Sequence, residues 1–285
     1  MLSTIGTSQD TNISINCKEK TINLDEPIVM GILNLTPDSF FDGGKYHNES
    51  NIMDQVNSME YEGTTIVDVG GHSTRPQAKN VSEEEELNRV LPVVKLIKSN
   101  FKDIIISIDT FRSSVARQCV EAGADIVNDI SGGGMDANMF KTVGELNVPY
   151  VLTHIQGTPQ TMQENPLYTN LLEEVKDYFQ EKIDQLNSLG VNNIILDPGF
   201  GFGKTVEHNY LLLKHLEEFK SFGLPILAGV SRKSMINKVL DTTPEEALNG
   251  TTVLNTIALQ NGAHILRVHD VKEAQEAIQL VNMLK

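Results

Sequence analysis

The sequence has no tryptophan, little cysteine and few basic residues. Cys17 and Cys119 are its only two cysteines among 285 residues, and neither belongs to a CxxC pair or a zinc-like cluster with histidine. A disulfide framework and a structural zinc site are therefore not indicated, and we expect a reducing compartment. Lys and Arg total 23 against 38 Asp and Glu, for a formal net charge of −15. That balance argues against general attraction to nucleic acid or anionic lipid, so an anionic ligand would need a local basic pocket.

Signals for secretion or membrane insertion are also missing. The N-terminal segment MLSTIGTSQDTN has neither a basic start nor an apolar run, and no stretch reaches the roughly 18 apolar residues of a membrane helix. We expect residues 1–12 to form a polar tail and the protein to be cytoplasmic. With 40% hydrophobic residues, segment 13–285 is long enough for one large core, so we expect a single domain.

The sequence does contain a regular alternation of short apolar runs and longer amphipathic segments. β-Branched apolar runs suit strands buried on both faces, and helical spacing suits helices packed on such strands. The predicted strands are 28–35, 65–70, 104–109, 125–129, 150–154, 194–197, 225–230 and 264–268. The predicted helices are 49–62, 82–98, 113–122, 137–146, 170–189, 206–219, 244–261 and 272–283. Eight strand–helix units in a chain of this length favour a closed (β/α)₈ barrel, the TIM barrel, over an open sheet.

Local signals support the helix ends and indicate one further element. Ser82, Thr243 and Asp270 are predicted N-caps, and Pro244 is predicted at a first helical position. Alternating polar and apolar residues at 13–24 predict a short β-hairpin, placed where it could plug the barrel floor. Glycines expected to act as left-handed C-terminal caps follow five helices, at Gly63, Gly123, Gly190, Gly223 and Gly262.

Active sites of such barrels lie at the carboxyl ends of the strands, and the residues predicted there are polar. Any one of them is explained equally well as a helix cap or a hydrogen-bonded strand end. Together they indicate a site, because buried carboxylates such as Asp109 and Asp197 are costly unless paired or liganded. With Asn128 between them, they can bind the amidine-like edge of a flat heterocycle. The full set is Asn34, Thr74, Arg75, Asp109, Asn128, His154, Asp197, Ser231, Arg232, Lys233, Arg267 and His269.

Basic side chains face these carboxylates across the same mouth. Barrel enzymes often bind phosphate at the loops after strands seven and eight. The residues of these two loops that suit phosphate are Ser231, Arg232, Arg267 and His269. For Arg75 and Arg267 a solvated surface ion pair is the alternative. With Lys233 added, the pocket is predicted to take a polar heterocycle that carries an anion.

The segment DPGFGFGKT at 197–205 ends like a phosphate-binding P-loop. Pro198, however, occupies the position of that motif's first glycine, so the segment is not a P-loop. Its glycines are expected to let the backbone approach a ligand closely, with Phe200 or Phe202 as an aromatic wall.

Eight motifs in order resemble the successive signatures of the dihydropteroate synthase family, from about residue 28 to the C-terminus. One motif accompanies each predicted strand, which is far more specific than any single glycine or carboxylate pattern. The motifs are GILNLTPDSFFDGG (31–44), VDVGGHSTRP (67–76), SIDT (107–110), NDISGG (128–133), THIQGTP (153–159), LDPGFGFGK (196–204), GVSRKS (229–234) and RVHD (267–270).

The resemblance implies that 6-hydroxymethyl-7,8-dihydropterin diphosphate condenses with 4-aminobenzoate to give 7,8-dihydropteroate and diphosphate in folate biosynthesis. It also implies Mg²⁺, a homodimer and inhibition by sulfonamides. The implied pterin site is Asp109, Asn128, Asp197 and Lys233, and the implied diphosphate site is Asn34, Thr74, Arg75, Arg267 and His269, with Asn34 also binding the metal. The implied 4-aminobenzoate site is Thr74, Arg75, Pro76, Phe202, Lys233 and Ser234, and the implied catalytic residues are Asp109, Lys233, Arg267 and His269.

Three positions depart from the family pattern. His72 stands where many relatives carry Glu, Gln77 where Gly is common, and Thr153 where Met often precedes the histidine. These departures bear on the loop after the second strand, on packing against the pterin and on sulfonamide sensitivity.

Two alternatives to this function stay open at this point. One is a methyltransferase of the same superfamily, which would pass a methyl group from methyltetrahydrofolate to a corrinoid protein. Such an enzyme has no use for the diphosphate and aminobenzoate sites that TPDSF, STRP and SRKS would provide. The other is a noncatalytic pterin-binding barrel.

Overall fold

A computed structural model describes residues 13–18, 20–35, 45–72, 81–158, 161–162 and 164–284. Its strands are β1 (Ser14–Cys17), β2 (Lys20–Asn23), β3 (Ile28–Asn34), β4 (Ile66–Gly70), β5 (Ile105–Asp109), β6 (Ile126–Asp129), β7 (Tyr150–Thr153), β8 (Ile194–Asp197), β9 (Leu227–Ala228) and β10 (Ile265–Val268). Its helices are α1 (Lys45–Tyr61), α2 (Glu83–Asn100), α3 (Ser113–Glu121), α4 (Met139–Leu146), α5 (Leu171–Ser188), α6 (Val206–Lys214), a 3₁₀ helix (Leu216–Phe222), α7 (Ser234–Leu240), α8 (Leu248–Gln260) and α9 (Val271–Asn282). Within these ranges, no helix combines the length and apolar character needed to span a lipid bilayer.

Strands β3 to β10 form a parallel barrel. Consecutive strands pair from β3 to β8, and β10 pairs with both β3 and β9. The ring closes between β8 and β9, where the Leu196 N–H donates to Pro225 O at 2.8 Å and Leu196 bridges Ile226 in parallel. The (β/α)₈ barrel predicted from the sequence is confirmed.

The N-terminal hairpin covers the floor of this barrel. β1 and β2 pair antiparallel, and the buried side chains of Ile15, Cys17 and Leu24 point into the barrel floor. Burial of this apolar surface attaches the hairpin to the barrel, and the predicted hairpin is confirmed. Every barrel strand contributes one residue to the contact: Met30, Ile66, Ile105, Ile126, Val151, Ile195, Leu227 and Ile265.

A polar layer lies directly above this apolar floor. Strand residues two apart share a face, so the next inward positions follow each floor residue by two. Most of them are polar and buried, which brings charged groups from β4, β8 and β10 and the amide of β6 into one cavity. These positions are Ile32, Asp68, Ser107, Asn128, Thr153, Asp197, Gly229 and Arg267.

The structure differs from the sequence interpretation between β9 and β10. The predicted helix 244–261 begins at Leu248, and α7 was not predicted at all. The predicted N-cap at Thr243–Pro244 was wrong. These residues lie in a turn, in which Glu246 Oε2 accepts from the Thr243 N–H (3.1 Å) and hydroxyl (3.2 Å). The predicted helix 206–219 is also divided into α6 and the 3₁₀ helix at His215.

Among the other predicted caps, Ser82 and the glycines are confirmed, whereas Asp270 has the predicted position without the capping hydrogen bond. Ser82 is an N-cap that accepts from the Glu85 N–H at 3.1 Å. Asp270 occupies the N-cap position of α9, but it makes no side-chain cap and binds Arg232 instead. The cap glycines all have positive φ, as predicted, at Gly63, Gly123, Gly190, Gly223 and Gly262.

Candidate active site

Asn128 and the carboxylates predicted from the strand ends converge at the carboxyl side of the barrel. Asp109 ends β5 in register with Asn128 of β6, and Asp197 ends β8. Asn128 and Asp197 are buried. The Gly199 N–H donates to Asp197 Oδ1 at 2.8 Å, which fixes the side chain of that aspartate.

Arg267 of β10 joins two buried carboxylates across the cavity. Its Nε–H donates to Asp68 Oδ2 and its Nη2 donates to Asp109 Oδ2, each at 2.7 Å. Asn128 Nδ2 donates to the same Asp68 oxygen at 3.0 Å. Burial works to lower the pKa of Arg267, but Asp68 and Asp109 outweigh it and raise that pKa. The guanidinium is therefore held charged between its two carboxylates.

Asp68 was missed by the sequence analysis because it lies in the middle of β4 and not at its end. The signal that could have found it is the two-residue period, which places Asp68 on the inward face two positions after Ile66. It is completely buried.

Lys233 occupies the other side of the cavity, just after β9. Its Nζ donates to Phe200 O and lies 4.7 Å from the centroid of the Phe202 ring. Burial lowers the pKa of Lys233 to about 8, although Asp197 opposes that shift. Burial likewise raises the pKa of Asp197, with Lys233 opposing.

Asp109 carries a carboxyl group whose pKa lies near neutral pH. Burial raises its pKa to about 7; Arg267 opposes the shift, whereas Asp68 adds to it. A carboxylate with such a pKa is poised to ionise when a ligand offers N–H donors or positive charge. Once ionised, Asp109 can accept hydrogen bonds from a ligand's N–H groups and stabilise positive charge on that ligand.

Lys204 organises the glycine-rich segment beside this cavity. Its Nζ donates to Gly199 O and Phe202 O, both at 3.0 Å, and lies 2.8 Å from His154 Nδ1. Burial lowers the pKa of both Lys204 and His154 well below their ordinary values. The lysine that ends the P-loop-like motif thus binds carbonyl groups of its own segment, and His154 supports it there.

Gly199 is required by both its backbone conformation and its surroundings. Its φ is +71°, and a Cβ there would collide with His154 O. Gly223 has a similar φ of +65° with nothing within 4 Å of a built Cβ, so it is a matched control for backbone strain alone.

We expect Gly223→Ala to lower the free energy of unfolding by about 1 to 2 kcal/mol. Gly199→Ala should lower it by more than about 3 kcal/mol, because the collision adds to the same strain. Urea unfolding of the two variants checks this, and equal losses would show that the His154 contact does not matter.

The loops after β9 and β10 are joined by Arg232 and Ser231. Arg232 binds Asp270 through two nitrogens, at 2.9 and 2.7 Å, and also donates to the carbonyls of Pro244 and Glu245. It therefore stabilises these loops, although it lies where phosphate binding was predicted. Ser231 Oγ accepts from the His269 N–H at 3.2 Å and lies 2.9 Å from His269 Nδ1, which orients that ring.

The remaining predicted residues divide into two groups. Asn34, Ser234 and His269 are exposed at the barrel rim. The others lie outside the described residues, namely Thr74, Arg75, Pro76 and the departure Gln77.

Two arginines hold the residues on either side of segment 73–80. Arg89 Nη1 donates to Gly71 O at 2.9 Å, and Arg112 Nη2 donates to Val81 O at 2.7 Å. Arg112 is in turn paired with buried Glu86. The departure His72 packs edge-on against an aromatic ring, with its centroid 5.5 Å from that of Phe111. Both chain positions that flank the segment are therefore fixed to the barrel.

Comparison with known proteins agrees with this fold. Residues 30–269 match the family model described as pterin binding enzyme. The chain is 47% identical over 263 residues to the dihydropteroate synthase of Escherichia coli (strain K12), covering 92% of this chain and 93% of that protein. The crystal structure of the Yersinia pestis dihydropteroate synthase in a sulfonamide drug complex aligns with a TM-score of 0.90 at 41% identity, over 95% of this chain and 99% of that one. The structure of the Xanthomonas albilineans enzyme with 4-aminobenzoic acid aligns with a TM-score of 0.88 at 36% identity, over 96% and 98%.

A parallel barrel with buried carboxylates and cations at its carboxyl rim is an architecture that suits a pterin-binding enzyme. The chain belongs to that family and, within it, to the dihydropteroate synthases. The resemblance carried by the eight sequence motifs is confirmed.

Proposed function

We propose that this chain condenses 6-hydroxymethyl-7,8-dihydropterin diphosphate with 4-aminobenzoate, forming 7,8-dihydropteroate and diphosphate in folate biosynthesis. The observation that carries the proposal is the convergence of Asp109, Asn128, Asp197 and Lys233 at one barrel mouth, in a member of this family. The amidine-like edge of a pterin offers N–H donors to carboxylates, and its ring nitrogens and carbonyl accept from an ammonium or amide.

Among the described residues, Arg267 and His269 are the basic groups that would meet the diphosphate in the proposed reaction, together with Thr74 and Arg75 of the segment outside them. The bond between C9 of the pterin and the diphosphate oxygen breaks, and its electron pair leaves with diphosphate. Arg267 uses Nε and Nη2 for carboxylates, and Nη1 makes no hydrogen bond to the residues that the structure describes. Its two N–H groups suit a phosphate oxygen, and they stabilise charge that develops on the leaving group.

Asp109 faces the opposite charge in the same step. Positive charge grows at C9 and spreads into the electron-rich pterin, where an ionised carboxylate stabilises it. The amine nitrogen of 4-aminobenzoate then bonds to C9 and loses a proton to solvent or to the departing diphosphate. No covalent bond to the protein is needed.

Asn34 is suited to act as the one protein ligand of Mg²⁺. Its amide oxygen is a hard donor at the exposed rim, and Mg²⁺ is often bound by one or two protein oxygens together with substrate phosphates. Among the described residues no group of three or more His, Cys, Asp or Glu could hold a metal. When bound with the diphosphate, Mg²⁺ would neutralise part of its charge.

The 4-aminobenzoate pocket is proposed beside Lys233. Phe202 offers an aromatic wall next to the Lys233 ammonium, and Ser234 is exposed at the start of α7. Thr74, Arg75 and Pro76 would complete the pocket. Sulfonamides, which resemble 4-aminobenzoate in shape and charge, are expected to compete there. A homodimer stays a prediction that rests on the family, and a cytoplasmic location stays a prediction that rests on the sequence.

The decisive assay measures diphosphate release that requires both 4-aminobenzoate and Mg²⁺. Formation of dihydropteroate supports the proposal. Methyl transfer from methyltetrahydrofolate to a corrinoid acceptor, without dihydropteroate formation, would establish the methyltransferase alternative. Pterin binding without turnover in the presence of Mg²⁺ would establish a noncatalytic barrel.

The pH dependence of kcat/KM for the pterin substrate should be bell-shaped. The active form needs ionised Asp109 and protonated Lys233, whose pKa values are about 7 and about 8. The rate should therefore rise as pH passes about 7 and fall above about 8. In Asp109→Asn the acid limb should disappear while the basic limb stays.

Ionisation of Asp109, which should raise the rate, has the opposite effect on the free energy of unfolding. Between the ordinary pKa of an aspartate, 3.8, and about 7, folded Asp109 keeps a proton that the unfolded chain has lost. Its contribution to stability is therefore present at low pH and declines as pH rises through that window. Higher activity near neutral pH thus accompanies a loss of stability from this carboxylate.

A further inference from the structure

We propose that Asp68, in the middle of β4, is a positioning residue that orients Asn128 and Arg267 for pterin binding. This inference rests on the proposed function and adds to it a residue that touches neither the diphosphate nor the aminobenzoate. Its basis is the pair of hydrogen bonds that one buried oxygen of Asp68 receives from two residues of the pocket.

The bond to Asn128 fixes which end of that amide meets a ligand. An ionised carboxylate only accepts hydrogen bonds, so Asn128 must turn its NH₂ group toward Asp68 Oδ2, at 3.0 Å. The amide oxygen of Asn128 is thereby directed away from Asp68 as an acceptor. An asparagine without such a partner could present either end. Asp68 thus selects a ligand that brings an N–H group to this position.

Because Arg267 also binds Asp68, its guanidinium is shared by two carboxylates and does not pair with Asp109 alone. Nε donates to Asp68 and Nη2 to Asp109. Without the negative charge of Asp68, Arg267 would be attracted to Asp109 alone and would neutralise the carboxylate that stabilises positive charge on the pterin. Asp68 keeps Arg267 in place while leaving part of the Asp109 charge for the substrate.

A contribution to stability does not by itself explain why an aspartate occupies position 68. A buried ion pair gains little over apolar side chains of similar volume, because both charges lose their hydration. Asp68 Oδ1 is buried with no hydrogen-bond partner among the described residues, and the same holds for Oγ of Ser107, its neighbour in register on β5. Most buried side-chain oxygens that serve only the fold have a hydrogen-bond partner, so Oδ1 of Asp68 is unusual.

The variant Asp68→Asn keeps the size of the side chain and removes its charge. We expect the dissociation constant and KM for the pterin to rise about 10- to 100-fold, since a charged hydrogen-bond partner is lost. KM for 4-aminobenzoate should change less than about twofold. The matched control is Asp125→Asn, which removes another buried carboxylate, one that accepts from the Ile106 N–H at 3.0 Å at the amino end of β6. It should lower the melting temperature and leave the pterin KM unchanged.

A double-mutant cycle separates positioning from a general structural effect. Calorimetric pterin affinities are measured for Asp68→Asn, Asn128→Ala and the double variant. If Asp68 acts through Asn128, the double variant should lose clearly less affinity than the product of the two single losses. Independent, multiplicative losses would overturn the proposal.

Several results distinguish this inference from the proposed function. Absence of turnover by the wild type would reject the function itself. Wild-type turnover together with an unchanged pterin KM in folded Asp68→Asn would reject only the positioning role. If Asp68→Asn does not fold, Asp68→Ser, which keeps an acceptor without charge, is measured in its place; failure of both to fold would assign Asp68 to the barrel and reject the role.

Discussion

Asp109→Asn should lower kcat by about 100- to 1,000-fold, because the substitution removes the negative charge that faces the developing cation. Asparagine has nearly the same shape, so the loss reports on charge and not on packing. The Arg267 Nη2 that now binds Asp109 at 2.7 Å would keep only a neutral acceptor there. Magnesium-dependent diphosphate release with saturating 4-aminobenzoate measures the effect.

A matched control for this variant is Asp103→Asn, in the exposed turn that leads into β5. It removes the same charge from the same strand–turn unit but lies away from the barrel mouth. Its kcat should equal that of the wild type. A near-normal rate for Asp109→Asn would remove Asp109 from the catalytic role.

Lys233→Ala should weaken pterin binding by about 100-fold, as expected when a charged, half-buried hydrogen-bonding group is removed. Two groups lose their partner: Phe200 O loses the donor Nζ, and Asp197 loses the cation that now limits the rise of its pKa. Asp197 would therefore hold a proton at higher pH and accept fewer hydrogen bonds from the substrate. Calorimetric titration with the pterin diphosphate measures the loss directly.

The matched control for Lys233 is Lys238→Ala on α7, the helix that Lys233 precedes as its N-cap residue; the Lys238 side chain is exposed. It removes an equal charge without touching Asp197 or the ring of Phe202. Pterin affinity should be unchanged in Lys238→Ala, and an equal loss in both variants would mean that net charge, not position, is responsible. Lys233→Arg provides a second comparison, because it keeps the charge while its planar head cannot reproduce the single-point contact with Phe200 O.

The barrel could be predicted from the sequence because its signals are local. Eight apolar runs alternate with amphipathic segments, and each carries its own strand or helix period. The helix α7 was missed because it has only seven residues, too few for the period to be recognised. The Thr243–Pro244 cap was wrong because a turn can satisfy the same N-cap chemistry, as Glu246 does here.

Site residues at strand ends were found for a similar reason. Asp109 and Asp197 end their strands, and all strand ends of a parallel barrel meet at one rim. Asp68 was not found, since it lies within a strand whose neighbours are valines and its importance depends on a partner far along the chain.

The sequence by itself determined the eight strand–helix units, the hairpin, and the polar residue types at or near the strand ends, because strand period, apolar runs and most cap residues are properties of neighbouring positions. Only the tertiary structure decided which charges meet. Arg267 lies 199 and 158 positions from its two carboxylates. Arg232 joins the loop after β9 to the loop after β10, and Lys204 binds carbonyl groups of its own segment. Barrel closure sets these pairings, since the stagger between strands determines which inward side chains face each other across the cavity.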